Sequence, residues 1–291
     1  MPGAHDDHRR VLSAARADQP SAAGNADEGS AIRVKALATK LASALERVVD
    51  NVVLFDEVDS THAVALRLID QVDVEGLGLR PTVVIAEAQS RGTGRGGRRW
   101  VSPRGGLYLS WLSIGIRDDV VNRLPMLAAA AACAALADAG VTEARIKWPN
   151  DILVDGRKLA GILVHCRRGT VNPVTVSLGV NIVPIDEAVE DAGRPPVSLA
   201  ELIGPEAATA ARAAVAAGFV RSLDAAIADP EPALERWRSW LVHRPGDQIA
   251  VRVASGAVES GRFAGLTGDG FVRLDQASGE RVISGGDVIE S

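Results

Sequence analysis

Arg91 to Gly106 reads RGTGRGGRRWVSPRGG, sixteen residues with five arginines and six glycines. Glycines let backbone amides approach a ligand closely, and guanidinium groups donate paired hydrogen bonds that fit phosphate or carboxylate oxygens. The chemistry on offer is the grasp of an anion. The whole chain of 291 residues has 32 Lys and Arg against 37 Asp and Glu, a formal charge of −5. That balance argues against a surface devoted to nucleic acid or an anionic membrane, so the arginine cluster is a local device. Ordering so long a loop costs more backbone entropy than a few charge-assisted bonds return, which predicts a loop that is mobile when empty and folds over its ligand. A solvated surface loop with scattered arginines is the bland alternative.

Elsewhere the chain carries Asp59-Ser60-Thr61, Gln89, the run Lys147-Trp148-Pro149-Asn150-Asp151, Lys158, and Gly161 and Asn181 within strand-like segments. Most of these have a structural reading. Ser60-Thr61 caps a helix, Asn150-Asp151 turns the chain after Pro149, Lys158 is a surface lysine at a strand start, Trp100 and Trp148 are packing residues, and Gly161 marks a bulge. Gly92 to Gly97 satisfies G-x-G-x-x-G, yet a dinucleotide-binding turn must open directly into a helix, and here Arg98-Arg99-Trp100-Val101-Ser102-Pro103 follows. No phosphate loop, HExxH, G-x-S-x-G or zinc spacing occurs. Cys133 and Cys166 have no metal-ligand spacing and read as buried reduced thiols.

The elements that must position these residues follow from periodicity. Residues 1 to 30 hold too few large apolar groups to offset ordering entropy, and predict a disordered tail. No signal peptide or membrane-length apolar run is present, which predicts a cytoplasmic location. A single amphipathic helix is expected from Ile32 to about Val48, a strand over Val52–Val58 and a helix from Thr61 to about Ile69. A β-branched strand, Thr82–Glu87, delivers the chain into the Gly/Arg loop, and Leu107–Leu112 leaves it. A helix over Leu124–Asp138 precedes hairpins around Asp155-Gly156 and Arg168-Gly169-Thr170. Two further helices, Pro205 to about Asp229 and Pro232–Leu241, precede short alternating strands from Pro245. The expected class is α+β: a mixed, largely antiparallel sheet with flanking helices over 31–242, then a small β-barrel over 243–291.

Taken together and in this order, Asp59-Ser60-Thr61, the loop through Trp100, Ser102-Pro103, Leu107–Ser110, KWPND, RKLAGIL and Gly179-Val180-Asn181 resemble the biotin protein ligases. The resemblance covers about residues 52 to 182 and continues more weakly to the C-terminus. It implies a class II synthetase-like catalytic domain with a C-terminal SH3-like barrel. It implies an enzyme that makes biotinyl-AMP from biotin and ATP, then transfers biotin to one lysine of a biotin carboxyl carrier domain. On that pattern Ser60, Thr61, Gln89, Gly92, Thr93, Gly94, Arg95, Lys158 and Gly161 serve biotin. Arg95, Arg98, Trp100, Asn150, Lys158 and Asn181 serve ATP, with Lys158 and Arg95 catalytic. Asp151 is the candidate for Mg²⁺, directly or through water.

The sequence departs from the family at several points. Thr93 stands where a second arginine of a Gly-Arg-Gly-Arg run is usual, His62 replaces an Asn, and His165 stands where an acidic residue is common. The rivals are a lipoate or octanoate ligase, whose Arg-Arg-x-Ser-Gly-Gly-Gly run is absent, and a biotin-dependent regulator, which needs DNA-binding helices that the tail before Ile32 does not offer. The expected partners are biotin, ATP and a carboxylase carrier domain, with no membrane or nucleic acid, in a monomer or homodimer.

Overall fold

The computed structural model describes residues 10–14, 39–40, 43–45, 48–75, 80–168, 172–186 and 196–289. The chain begins with β1 (Arg10–Ala14), β2 (Asn51–Val58), α1 (Thr61–Glu75), β3 (Thr82–Gln89) and β4 (Leu107–Ser113). It continues through α2 (Asp118–Val121), α3 (Leu124–Asp138), β5 (Arg145–Lys147), β6 (Asp151–Val154), β7 (Arg157–Cys166) and β8 (Val174–Val180). Three helices follow, α4 (Leu199–Ile203), α5 (Pro205–Ala228) and α6 (Pro230–Trp240). The chain closes with β9 (Gln248–Arg252), β10 (Val258–Leu266), β11 (Val272–Gln276), β12 (Gly279–Ile283) and β13 (Asp287–Ile289).

Eight strands form the first sheet in the order β1-β2-β3-β4-β8-β7-β6-β5. Its first two pairings are parallel and the others antiparallel, as expected of a mixed, largely antiparallel α+β sheet. The second sheet, β12-β11-β10-β9-β13, is antiparallel throughout and is the small β domain expected at the C-terminus. Arg10–Ala14 corrects part of the expected disordered tail, because it pairs in parallel with Asn51–Phe55. The edge of β2 offers unpaired N–H and C=O groups, and the backbone of Arg10–Ala14 pairs along it. The rest of that tail and most of the helix expected from Ile32 lie outside the described residues, though 39–40 and 43–45 are helical.

Helix α3 is apolar on every side, and a helix of that kind must be enclosed. It is buried from Leu124 to Leu136 except at Pro125 and Ala134, with α5 and α6 across one face and the sheet across the other. The two sheets share one core, in which Ile249, Val251 and Val272 join the residues around α3. Trp148 Nε1 donates to the Gly270 carbonyl at 2.8 Å, fixing the second sheet against the KWPND segment. Cys133 is buried in α3, while Cys166 is only half-buried; both are free thiols. Among the described residues no helix is long and apolar enough to cross a membrane.

The base of the Gly/Arg loop is anchored by a buried charge pair. Arg212 of α5 reaches both Glu87 carboxylate oxygens at 2.9 Å, with side-chain exposures of 10% and 8%. The Glu87 carbonyl accepts from Gly105 N at 3.1 Å, so the end of β3 and the end of the loop are held together. Removing one partner of such a pair leaves an uncompensated buried charge. Arg212→Met is therefore expected to cost about 3–5 kcal/mol of stability, read as a fall in the urea midpoint. Adding Glu87→Gln should recover part of the loss, and an unchanged midpoint in the single variant would contradict the anchor.

Candidate functional site

The floor of the site is set by two glycines. Gly161 of β7 and Gly179 of β8 are direct cross-strand partners. Trp100 lies over both: a Cβ on Gly179 would sit 2.6 Å from its Nε1, and one on Gly161 would sit 3.0 Å from Cζ3. Any side chain at either position would lift the indole. Lys158 Nζ lies 5.1 Å from the Trp100 ring centroid and 2.8 Å from Asp151 Oδ1, a cation held between a ring face and a carboxylate.

Lys158 reaches this place through a bulge. Leu153 pairs with Lys158 while Ile152 pairs with Ala160, so Leu159 is the extra residue in the ladder. In a regular strand, residues three apart face opposite sides. The bulge brings Lys158 and Gly161 to one side, where a Gly161 Cβ would lie 3.5 Å from Lys158 Cε.

The Gly/Arg loop folds back on itself above this floor. Trp100 N donates to the Gly92 carbonyl at 2.8 Å and Gly94 N to the Arg98 carbonyl at 2.7 Å, with a Thr93–Arg99 bridge between them. Between these contacts Arg95–Gly97 forms a single tight turn in which Gly96 takes φ +64°, a conformation that suits glycine. Arg95 Nη1 donates to Asn150 Oδ1, the Gly286 carbonyl and Asp287 Oδ1 at 3.3, 3.1 and 3.2 Å. Arg98 Nη2 reaches the same Asp287 oxygen at 3.2 Å. The second sheet thus supplies an acidic residue to the loop, a role that no local sequence signal could give, since Asp287 lies 192 positions from Arg95.

A chain of side-chain hydrogen bonds forms the other end of the site. Gln89 Oε1 accepts from Thr61 N at 2.8 Å and from Thr61 Oγ1 at 3.2 Å, while its Nε2 donates to Ser102 Oγ at 2.9 Å. Ser110 Oγ lies 3.0 Å from Thr61 Oγ1 and 2.8 Å from Ser177 Oγ, and His62 Nδ1 lies 2.9 Å from Ser177 Oγ. Ser110 and Ser177 were given no role by sequence reasoning. Their signal was available, for each is a hydroxyl in the middle of an otherwise apolar stretch of β4 or β8, and they pair directly across the two strands. Burial pushes His62 down to about 4, helped by the neighbouring His165, whose ring lies 6.2 Å away.

These parts enclose a cleft of about 670 Å³. Of the expected site residues it brings together Ser60, Thr61, Gln89, Thr93, Gly94, Arg95, Arg98, Trp100, Asn150, Asp151, Lys158, Gly161 and Asn181. Gly92 is set back from the wall, where its missing side chain leaves room for the Trp100 carbonyl and Ser102 Oγ at 2.4 and 2.5 Å from a would-be Cβ. Asn181 spends its amide Nδ2 on the carbonyls of Lys158 and Val197 at 3.1 and 3.3 Å, so it braces the cleft wall. Among the described residues no cluster of three His, Cys, Asp or Glu could cage a metal. The carboxylates of the cleft wall, Asp151 and Asp287, are each paired with a cation, and a magnesium ion beside Asp151 would be held mainly by phosphate oxygens and water.

Residues 56–182 match the biotin/lipoate A/B protein ligase family, and residues 246–289 match the biotin protein ligase C terminal domain. The biotin–[acetyl-CoA-carboxylase] ligase of Paracoccus denitrificans is 34% identical over 252 residues, covering 79% of this chain and 96% of that protein. The chain belongs to the biotin protein ligase family. The ligase of the same name from Mycobacterium tuberculosis is 31% identical over 80% of this chain and 86% of that protein. The match to the bifunctional ligase/repressor of Bacillus subtilis, 33% identical, spans only 40% of that protein's length. In fold, the chain resembles the biotin protein ligase from Aquifex aeolicus in complex with biotin and ATP, with a TM-score of 0.62 and 22% identity over 82% of this chain and 97% of that one.

A pH dependence follows from His62. Its folded-state value lies below the ordinary 6.5, so the unfolded chain binds the extra proton first. The associated stability is complete above pH 6.5 and is lost as the pH falls towards 4. His62→Asn should flatten this part of the stability curve in urea titrations taken across that window. A slope equal to the parent's would contradict the burial of a neutral imidazole.

Proposed function

We propose that this chain is an ATP-dependent biotin ligase that forms biotinyl-AMP and passes the biotinyl group to a lysine of a carboxyl carrier domain. The observation that carries the reading is Lys158, held by Asp151 and Trp100 within one cleft that also holds Arg95, Asn150 and the Thr61–Gln89 network. In the first step a biotin carboxylate oxygen attacks the α-phosphorus of ATP, and pyrophosphate departs with the electron pair of the broken P–O bond. Two anions must meet, so the site needs cations and positioning more than a base. Lys158 supplies the fixed charge at that junction, and Arg95 and Arg98 flank the phosphates. Magnesium bound with the nucleotide would offset further phosphate charge, with Asp151 as its protein contact.

In the second step the uncharged carrier amine attacks the carbonyl carbon of the mixed anhydride, AMP leaves, and the amine proton passes to solvent. The closed loop keeps water from the anhydride in between. Asp287 holds Arg95 and Arg98 over the cleft from the second sheet, which supports the loop's role as a cover. The C-terminal match favours the biotin over the lipoate side of the family.

The test is incubation with biotin, ATP, Mg²⁺ and a carrier domain, with lipoate in a parallel tube. Pyrophosphate release and carrier labelling are expected with biotin alone. Lys158→Ala should lower pyrophosphate release by about 10²-fold or more, the scale of losing one charge aimed at the reacting centre, with the melting temperature little changed. Retention of most activity would remove Lys158 from the reaction.

A further inference from the structure

The hydrogen-bond chain fixes its own proton positions. A backbone N–H can only donate, so the atom of Gln89 facing Thr61 N is the carbonyl oxygen. Thr61 Oγ1, 3.2 Å from that oxygen, must then donate to it. With the Thr61 proton spent, Ser110 donates to Thr61; with the Ser110 proton spent, Ser177 donates to Ser110. Ser177 has no proton left, so the 2.9 Å contact with His62 requires His62 Nδ1–H to donate. On the far side of Gln89, Nε2 donates to Ser102 Oγ, and Ser102 donates to the Trp100 carbonyl at 2.9 Å.

Every proton in the chain is thereby committed in one direction. A neutral imidazole with its proton on Nδ1 has an unprotonated Nε2, a strong acceptor. His62 lines the cleft, and Nδ1 is the nitrogen that the network engages. A ligand that covers such an acceptor is favoured when it brings an N–H to it and disfavoured when it leaves it bare.

We infer that His62 is a specificity-determining residue whose Nε2 accepts a hydrogen bond from a ring N–H of the bound acid. This rests on the biotin-ligase reading and narrows it. A cyclic urea bears two N–H donors, whereas the dithiolane ring of lipoate bears none. The network leaves Nε2 as the acceptor nitrogen and ties its tautomer to the Trp100 carbonyl, so that this end of the cleft and the loop share one set of bonds.

The experiment measures binding of biotin and of its two cyclic carbamate analogues, each with one ureido N–H replaced by oxygen, to the parent and to His62→Phe. Phenylalanine keeps a ring against His165 but has no acceptor. One carbamate is expected to bind the parent about tenfold more weakly than biotin, the scale of one buried hydrogen bond, while His62→Phe binds that carbamate and biotin within about twofold of each other. Equal penalties in both proteins, or none for either carbamate in the parent, would overturn the inference. A parent that binds no biotin would instead overturn the ligase reading. Nitrogen-15 spectra of the parent's His62 give a second reading that needs no variant: protonation at Nδ1 is expected near neutral pH, and protonation at Nε2 would refute the assignment.

Discussion

The seat of Trp100 across Gly161 and Gly179 is the contact on which the site depends. It converts a glycine-rich loop, costly to order, into a roof with a fixed point, because the indole fits only where two facing strands both lack side chains. Three further features refer to it. Lys158 rests against its ring, its carbonyl ends the hydrogen-bond chain from His62, and its amide closes the loop onto Gly92. The loop's arginines then need only short reaches, to Asn150 on one side and to Asp287 on the other.

The rest of the fold supplies rigid backing. The alanine-rich α3 allows α5 to approach closely, with Gly218 packed on Ala135. From α5, Arg212 crosses to Glu87 and fixes the strand end from which the loop departs. The second sheet is part of the same core, so its contribution of Asp287 to the loop comes from a braced element. A charge delivered by a packed sheet is better placed than one delivered by a tail.

Much of this was legible in the sequence. Pro125 opening a helix that stops before Gly140, the β-branched run ending at Glu87, and the alternation after Pro245 all led to elements of the right kind. The Gly/Arg loop marked an anion site by its residue types, and the KWPND and RKLAGIL runs marked the cleft through the family resemblance that their order and spacing carry. What the sequence did not reveal has physical reasons. Strict alternation places Lys158 opposite Gly161, and only the bulge at Leu159 reverses this. Asp287 has no local pattern to distinguish it from any acidic residue in a short strand. The edge pairing of Arg10–Ala14 depends on a partner strand far along the chain, which composition does not register.

On the proposed reaction the loop from Arg91 to Gly106 covers biotin and ATP together, and trypsin reads that closure directly. Its sites after Arg91, Arg95, Arg98, Arg99 and Arg104 lie within the loop. Cleavage there should be suppressed by biotin plus ATP and Mg²⁺, while cleavage elsewhere in the chain is unchanged. Equal rates of loop cleavage with and without the two substrates would contradict the account.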